Sequence, residues 1–109
     1  MEKLIEAIKQ GRIFLVGECR GARPEVIRYV DKKTGQAVAF TVIVYLVERP
    51  GVMESVLITR QVSNTETDPN TIKIGVQKGK TYAFELSGFE RIRGVVKARM
   101  AAEAEPLPL

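Results

Sequence analysis

The chain has 109 residues, 45% of them apolar and 28% charged, and a net charge of +4. This is the length of one domain, with enough apolar content for a folded core. The basic balance permits an anionic partner without requiring one. One cysteine and no histidine exclude an internal disulfide, Ser-His-Asp and Cys-His centres, and imidazole zinc sites. No DxD, HExxH, GxxxxGK or CxxC pattern occurs, so the reading is a binding protein, not an enzyme, with no metal or cofactor. "MEKLIEAIKQG" is not a secretory signal, and no apolar run reaches about 18 residues, so no membrane partner or span is expected. A single cysteine fits a reducing, cytoplasmic setting.

Residues 2–10 are predicted to form a short helix, with Leu4, Ile5 and Ile8 at helical spacing and Gly11 as its stop. Two turns do not persist alone, so this helix should dock, as a cap over one barrel end. "RIFLVGEC" from Arg12 is a β-favouring apolar run, and "GARPE" should break or bulge it at Gly21 and Pro24. "EVIRYV" alternates, "DKKTGQ" is a hairpin loop, and "AVAFTVIVYLVE" (37–48) is the longest β signal. That strand is apolar on both faces, so parity does not tell which face is buried. "RPG" at 49–51 is a turn, and a third strand is expected from about Val52 to Val62. A polar loop follows at 63–70, then "TIKIGVQKGK", where a short strand is possible by alternation. "TYAFELSGF" alternates again, with Gly88 marking a bulge or bend, and "GVVKARM" completes the last strand. The 101–109 tail, with two prolines, is expected to be loose.

This count of strands, without βαβ rhythm, predicts an all-β domain over residues 1–100: a five-stranded OB-type Greek-key barrel with a short N-terminal helix. Cys19 reads as a small buried residue of the first strand.

The basic residues fall in two groups. Arg20, Arg23, Arg28, Lys32 and Lys33 lie around the first hairpin, with Tyr29 among them. Arg91, Arg93, Lys97 and Arg99 lie on the closing hairpin. Lys97 and Arg99 share one strand face by alternation. Like charges side by side on a sheet repel, unless anions such as phosphates neutralise them. A solvated face that only keeps the protein soluble is the plainer alternative. Single-strand binding also needs flat side chains for base stacking. Tyr29 and Phe40 are the candidates, with Tyr45 in reserve and on the opposite face from Phe40. Tyr82, Phe84 and Phe14 read as core, and Phe89 stays undecided.

"GKTYAFELSGFERIRGVVKAR" (79–99) resembles the last strands of the filamentous-phage single-stranded DNA-binding proteins of the gene V type. "RYVDKKTGQAVAF" resembles that family's DNA-binding wing, and "DKKTG" is also similar to bacterial single-strand binding proteins. The resemblance covers about a third of the chain and implies an OB barrel, a symmetric homodimer and cooperative binding of single strands. It matches Arg28, Lys33 and Arg99 to phosphate-contacting positions and Phe40 to an aromatic of the binding face. The chain departs from that pattern at Arg93, where the family carries a stacking aromatic. The N-terminal helix and "GECRGARP" have no counterpart there, and the acidic tip of the bacterial proteins is absent.

The sequence therefore leads to an expectation of single-stranded DNA binding with little sequence specificity, in replication, recombination or repair. Arg20, Arg28, Lys32, Lys33, Arg91, Arg93, Lys97 and Arg99 would track the backbone, and Tyr29 and Phe40 would stack bases. An RNA-binding OB domain and a β-barrel protein-interaction module are the alternatives.

Overall fold

A computed structural model describes residues 2–109. Helix α1 spans Glu2–Lys9, and strands follow at Phe14–Val30 (β1), Ala37–Glu48 (β2), Ser55–Ser63 (β3), Thr81–Ile92 (β4), Val95–Met100 (β5) and Leu107–Pro108 (β6). The first five close a ring in the order β1-β2-β3-β5-β4-β1. Only β3 and β5 run parallel; the other pairings are antiparallel. This is the OB-type architecture expected from the strand pattern.

Ring closure rests on β1. Residues 14–18 pair with β4 and residues 18–30 with β2. The switch is made where the register slips between Cys19 and Gly21, so that Arg20 is the extra residue of a bulge. The "GARPE" segment thus bulges the strand without breaking it. Beyond Glu18, β1 pairs with β2 alone, and Pro24 is tolerated because the opposite edge of β1 needs no amide donor there. Gly17 is required by close approach: a Cβ there would stand 2.5 Å from Val47 Cγ1 and 2.7 Å from the Glu48 carbonyl oxygen.

The core follows strand alternation. Ile43, Tyr45 and Val47 of β2, Val56 and Ile58 of β3, Tyr82 and Phe84 of β4, and Val96, Ala98 and Met100 of β5 point inward with Leu15 and Cys19. The Tyr45 and Phe84 rings are 5.4 Å apart and tilted by 55°; Tyr82 meets Phe84 edge-on at 6.2 Å. Such pairs add about 0.5–1.5 kcal/mol beyond the area they bury. Tyr45 is therefore a core residue, which removes it as a stacking surface. Burial pushes its phenol pKa up, against the favourable field of Arg60. Its hydroxyl has no hydrogen-bond partner within the protein among the described residues.

Several elements differ from expectation. Helix α1 buries Leu4 and Ala7, leaving Ile5 and Ile8 about half exposed, and adds nothing to the main core cluster. Its buried stripe uses a small residue that hydrophobicity alone does not pick out. β3 begins at Ser55, because Arg49 to Glu54 form the turn. The alternation in "TIKIGV" builds no strand. A 3-10 turn at Pro69–Thr71 leads into an irregular segment whose Ile72, Ile74 and Val76 pack on the core. The tail, expected to be loose, turns back on the barrel. Ala104 packs on the core, Arg60 pairs with Glu105 at 3.2 Å, and β6 pairs with Tyr82 and Ala83. The apolar Ala104 and Leu107 supply the contact that "AAEAEPLPL" conceals within a low-complexity composition.

Candidate nucleic-acid interface

The outer face of the β2–β3 half of the barrel is set by the same alternation that builds the core. Val44 stands between Arg23 of β1 and Thr59 of β3, and Thr59 stands beside Arg99 of β5. Val42 lies between Glu25 and Gln61. Leu57 stands beside Lys97. These side chains line two adjoining cavities. One, of about 330 Å³, is bounded by Arg23, Ile27, Val44, Leu57, Phe89 and Lys97. The other, of about 810 Å³, is bounded by Phe40, Val42, Gln61, Ser63, Asn64 and Glu103. Thr59 and Arg99 line both. The groove has an apolar floor of Val42 and Val44, hydroxyl and amide groups along β3, and cations along β5. In OB barrels the β2–β3 face, with the loops after β1 and between β4 and β5, is the face that receives oligonucleotides and oligosaccharides.

Both flanking loops are tightly made. In the β1–β2 loop, the Asp31 carboxylate accepts the Lys33 amide at 2.8 Å, and the Gly35 amide donates to the Asp31 carbonyl at 2.7 Å. That turn leaves Lys32 and Lys33 exposed at its tip. Behind it, Tyr29 and Phe40 meet edge-on at 6.3 Å, with Tyr29 52% exposed and Phe40 partly buried. The β4–β5 turn is Arg93-Gly94, with φ of 50° and 79°. Both central residues are left-handed, the geometry of a type I′ hairpin.

The ten residues singled out by sequence do not form one surface. Lys97 and Arg99 line the groove, Phe40 lines its wider half, and Tyr29 packs on Phe40. Lys32, Lys33 and Arg93 sit exposed on the two flanking turns. Three arginines are already engaged. Arg28 pairs with Glu66 and lines a separate shallow cleft with Pro24 and Pro69. Arg20, the bulge residue, lies 3.1 Å from Glu18 and 3.8 Å from Glu48. Arg91 donates twice to Glu54, at 2.6 and 2.9 Å, and its charge holds the Glu54 carboxyl below the usual range. Among the described residues, Lys32, Lys33, Arg93, Lys97 and Arg99 have no carboxylate within 4.0 Å.

Reading the sequence for charge alone missed the polar side of the groove. Thr59, Gln61 and Ser63 alternate in "SVLITRQVS" and could have been read as one outward face once Val56 and Ile58 were taken as core. Phe89, left undecided, is 57% exposed and borders the narrower cavity.

The loop carrying Glu66 is fixed by a buried residue. Thr41, with no exposed surface, donates its hydroxyl to the Thr65 carbonyl at 2.8 Å and accepts the Thr67 amide at 2.9 Å. The partner of Arg28 is therefore positioned from within the barrel.

Comparison with protein-family models, curated proteins and solved structures finds no match for this chain. Among the described residues, no helix is long and apolar enough to cross a membrane. The shared features of this chain with OB-type barrels are therefore its strand order, its core and the groove described above.

Proposed function

We propose that this protein binds single-stranded DNA with little sequence specificity, along the outer face of β2 and β3. One observation carries the reading. An apolar-floored groove on the oligonucleotide face of an OB-type barrel has its unpaired cations, Lys97 and Arg99, along one wall, and those of two tight turns beside it. Phosphates would neutralise these cations, and counterion release would supply affinity. Bases would find the partly buried ring of Phe40 and the exposed ring of Tyr29, and the hydroxyls and amides of β3 would offer adaptable hydrogen bonds. The groove is too narrow in its stated volumes to need a duplex, and stacking requires bases that are unpaired. The resemblance to the gene V type extends this reading to a homodimer, which light scattering on the purified protein measures directly.

The test is anisotropy of a labelled poly-dT of about 20 nucleotides, titrated across a salt series against a duplex of equal length. Salt-sensitive binding to the single strand, with weak duplex binding, is the expected result. Absence of binding at low salt would refute the reading. A matched poly-rU probe separates DNA from RNA, because only RNA offers a 2′-hydroxyl.

A further inference from the structure

The two halves of the groove share one charged side chain, and its geometry is unusual for a phosphate contact. Arg99 lines both cavities. Its guanidinium reaches across to β4, above the glycine that follows the register slip between Leu86 and Gly88. A Cβ built on Gly88 would lie 3.1 Å from Arg99 Nη2, 3.3 Å from Nε and 3.6 Å from Cζ. The two nitrogens stand nearer than the carbon, so the guanidinium meets the Gly88 position with its Nε/Nη2 edge. Its plane therefore rises from the sheet surface, and its two faces look sideways along the groove.

From this we propose that Arg99 is a partition on which bases stack, one on each side, and that Gly88 is its positioning residue. The inference rests on the single-strand reading above and gives Arg99 a different role from the phosphate contact that the family resemblance implies. A planar, delocalised cation is suited to this role because bases stack on guanidinium faces as they do on aromatic rings. Lysine offers the same charge without a plane. The guanidinium is free to act because no carboxylate lies within 4.0 Å among the described residues. Glycine at 88 is needed because any side chain there begins in the space under the guanidinium edge.

The experiment compares two probes of equal length, poly-dT and an abasic oligonucleotide that has the phosphates without the bases. Both are titrated with wild type, Arg99→Lys and Gly88→Ala. Circular dichroism confirms that each variant is folded. Wild type should prefer poly-dT. Arg99→Lys should weaken poly-dT binding about five- to tenfold, the scale of one lost stacking contact, with the abasic affinity and both salt slopes unchanged. Gly88→Ala keeps every charge and should shift in the same direction by moving the partition. Equal poly-dT affinity in wild type and both variants would overturn the partition while leaving groove binding intact. Equal losses on both probes would also overturn it, by making Arg99 a phosphate contact. Failure of wild type to bind either probe would overturn the groove reading and this inference together.

Discussion

The salt dependence of binding can be worked out from which cations are already neutralised. Sequence names eight basic residues for the backbone track, and the fold pairs three of them, Arg20, Arg28 and Arg91, with carboxylates. Five remain, and single strands lose about 0.7 of a logarithmic slope unit per phosphate neutralised, so log K should fall with log salt at about −3.5. Replacing Lys32 and Lys33 by Ala removes two free charges and should bring the slope to about −2.1. Arg28→Ala removes a charge whose field Glu66 already cancels, and should change the slope by much less than either lysine does. Glu66→Gln leaves Arg28 without its partner and should steepen the slope by up to about 0.7 while tightening binding at low salt. Anisotropy titrations from about 50 to 200 mM salt measure all four slopes. If Arg28→Ala flattens the slope as far as a single lysine substitution does, and Glu66→Gln leaves it unchanged, the reasoning fails. Phosphates would then displace the carboxylate freely, as the modest strength of exposed ion pairs allows.

The fold itself makes further predictions. Gly17→Ala places a methyl against Val47 and the Glu48 backbone, which cannot rotate away, and should destabilise by about 3 kcal/mol or more. Gly21→Ala, with nothing within 4 Å of the added carbon, is the control and should leave the denaturation midpoint nearly unchanged. Thr41→Val strands a buried carbonyl and a buried amide and should cost about 1–3 kcal/mol in urea unfolding. Glu54 and Glu85 are both held below the usual carboxylate range, first by hydrogen bonds from Arg91 and Arg12 respectively. Their contribution to stability is fully present above the ordinary carboxyl pKa of about 4.3 and is lost as pH falls through their depressed values. A thermal midpoint that stays constant from pH 6 to strongly acidic solution would contradict this. Cys19 is 1% exposed, and burial pushes its thiol pKa up; a thiol reagent should label it only at the rate of unfolding, and rapid labelling of native protein would show the β1 bulge to be open.

How far the sequence could be read differed between the core and the site for a physical reason. Alternation places each strand's buried residues because burial of one face is a collective, period-2 demand. Tyr82, Phe84, Val96 and Ala98 are legible on that basis alone. β2 is not, since Val42 and Val44 are as apolar as Ile43 and Tyr45. Only ring closure shows that the first pair floors a groove and the second fills the core. The cations were visible as residue types, but their charge balance was not. Glu66 is 38 residues from Arg28, and Glu54 is 37 residues from Arg91. Such pairs come from tertiary folding and leave no local pattern. The C-terminal segment was misjudged for a related reason, because its few anchors, Ala104, Glu105 and Leu107, act only against a surface already folded.

The two bulges connect the fold to its proposed use. Each lies beside a glycine and each adds one residue to a strand that must change partners or direction: Arg20 in β1 and Ser87 in β4. The first lets β1 leave β4 for β2, and so closes the barrel while carrying the β1–β2 hairpin out beyond it. The second brings Gly88 opposite Arg99, so that the space a side chain would occupy is left to a guanidinium. A bulge costs ladder hydrogen bonds and is retained where it re-aims a chain. Here one sets where the hairpin bearing Lys32, Lys33 and Tyr29 stands, and the other sets the pose of Arg99 across the groove. Removing Ser87 would restore regular pairing between β4 and β5 but would put a different residue opposite Arg99. The shortened strand should therefore keep the barrel and lose the preference for poly-dT over the abasic strand, which separates the needs of the binding surface from those of folding.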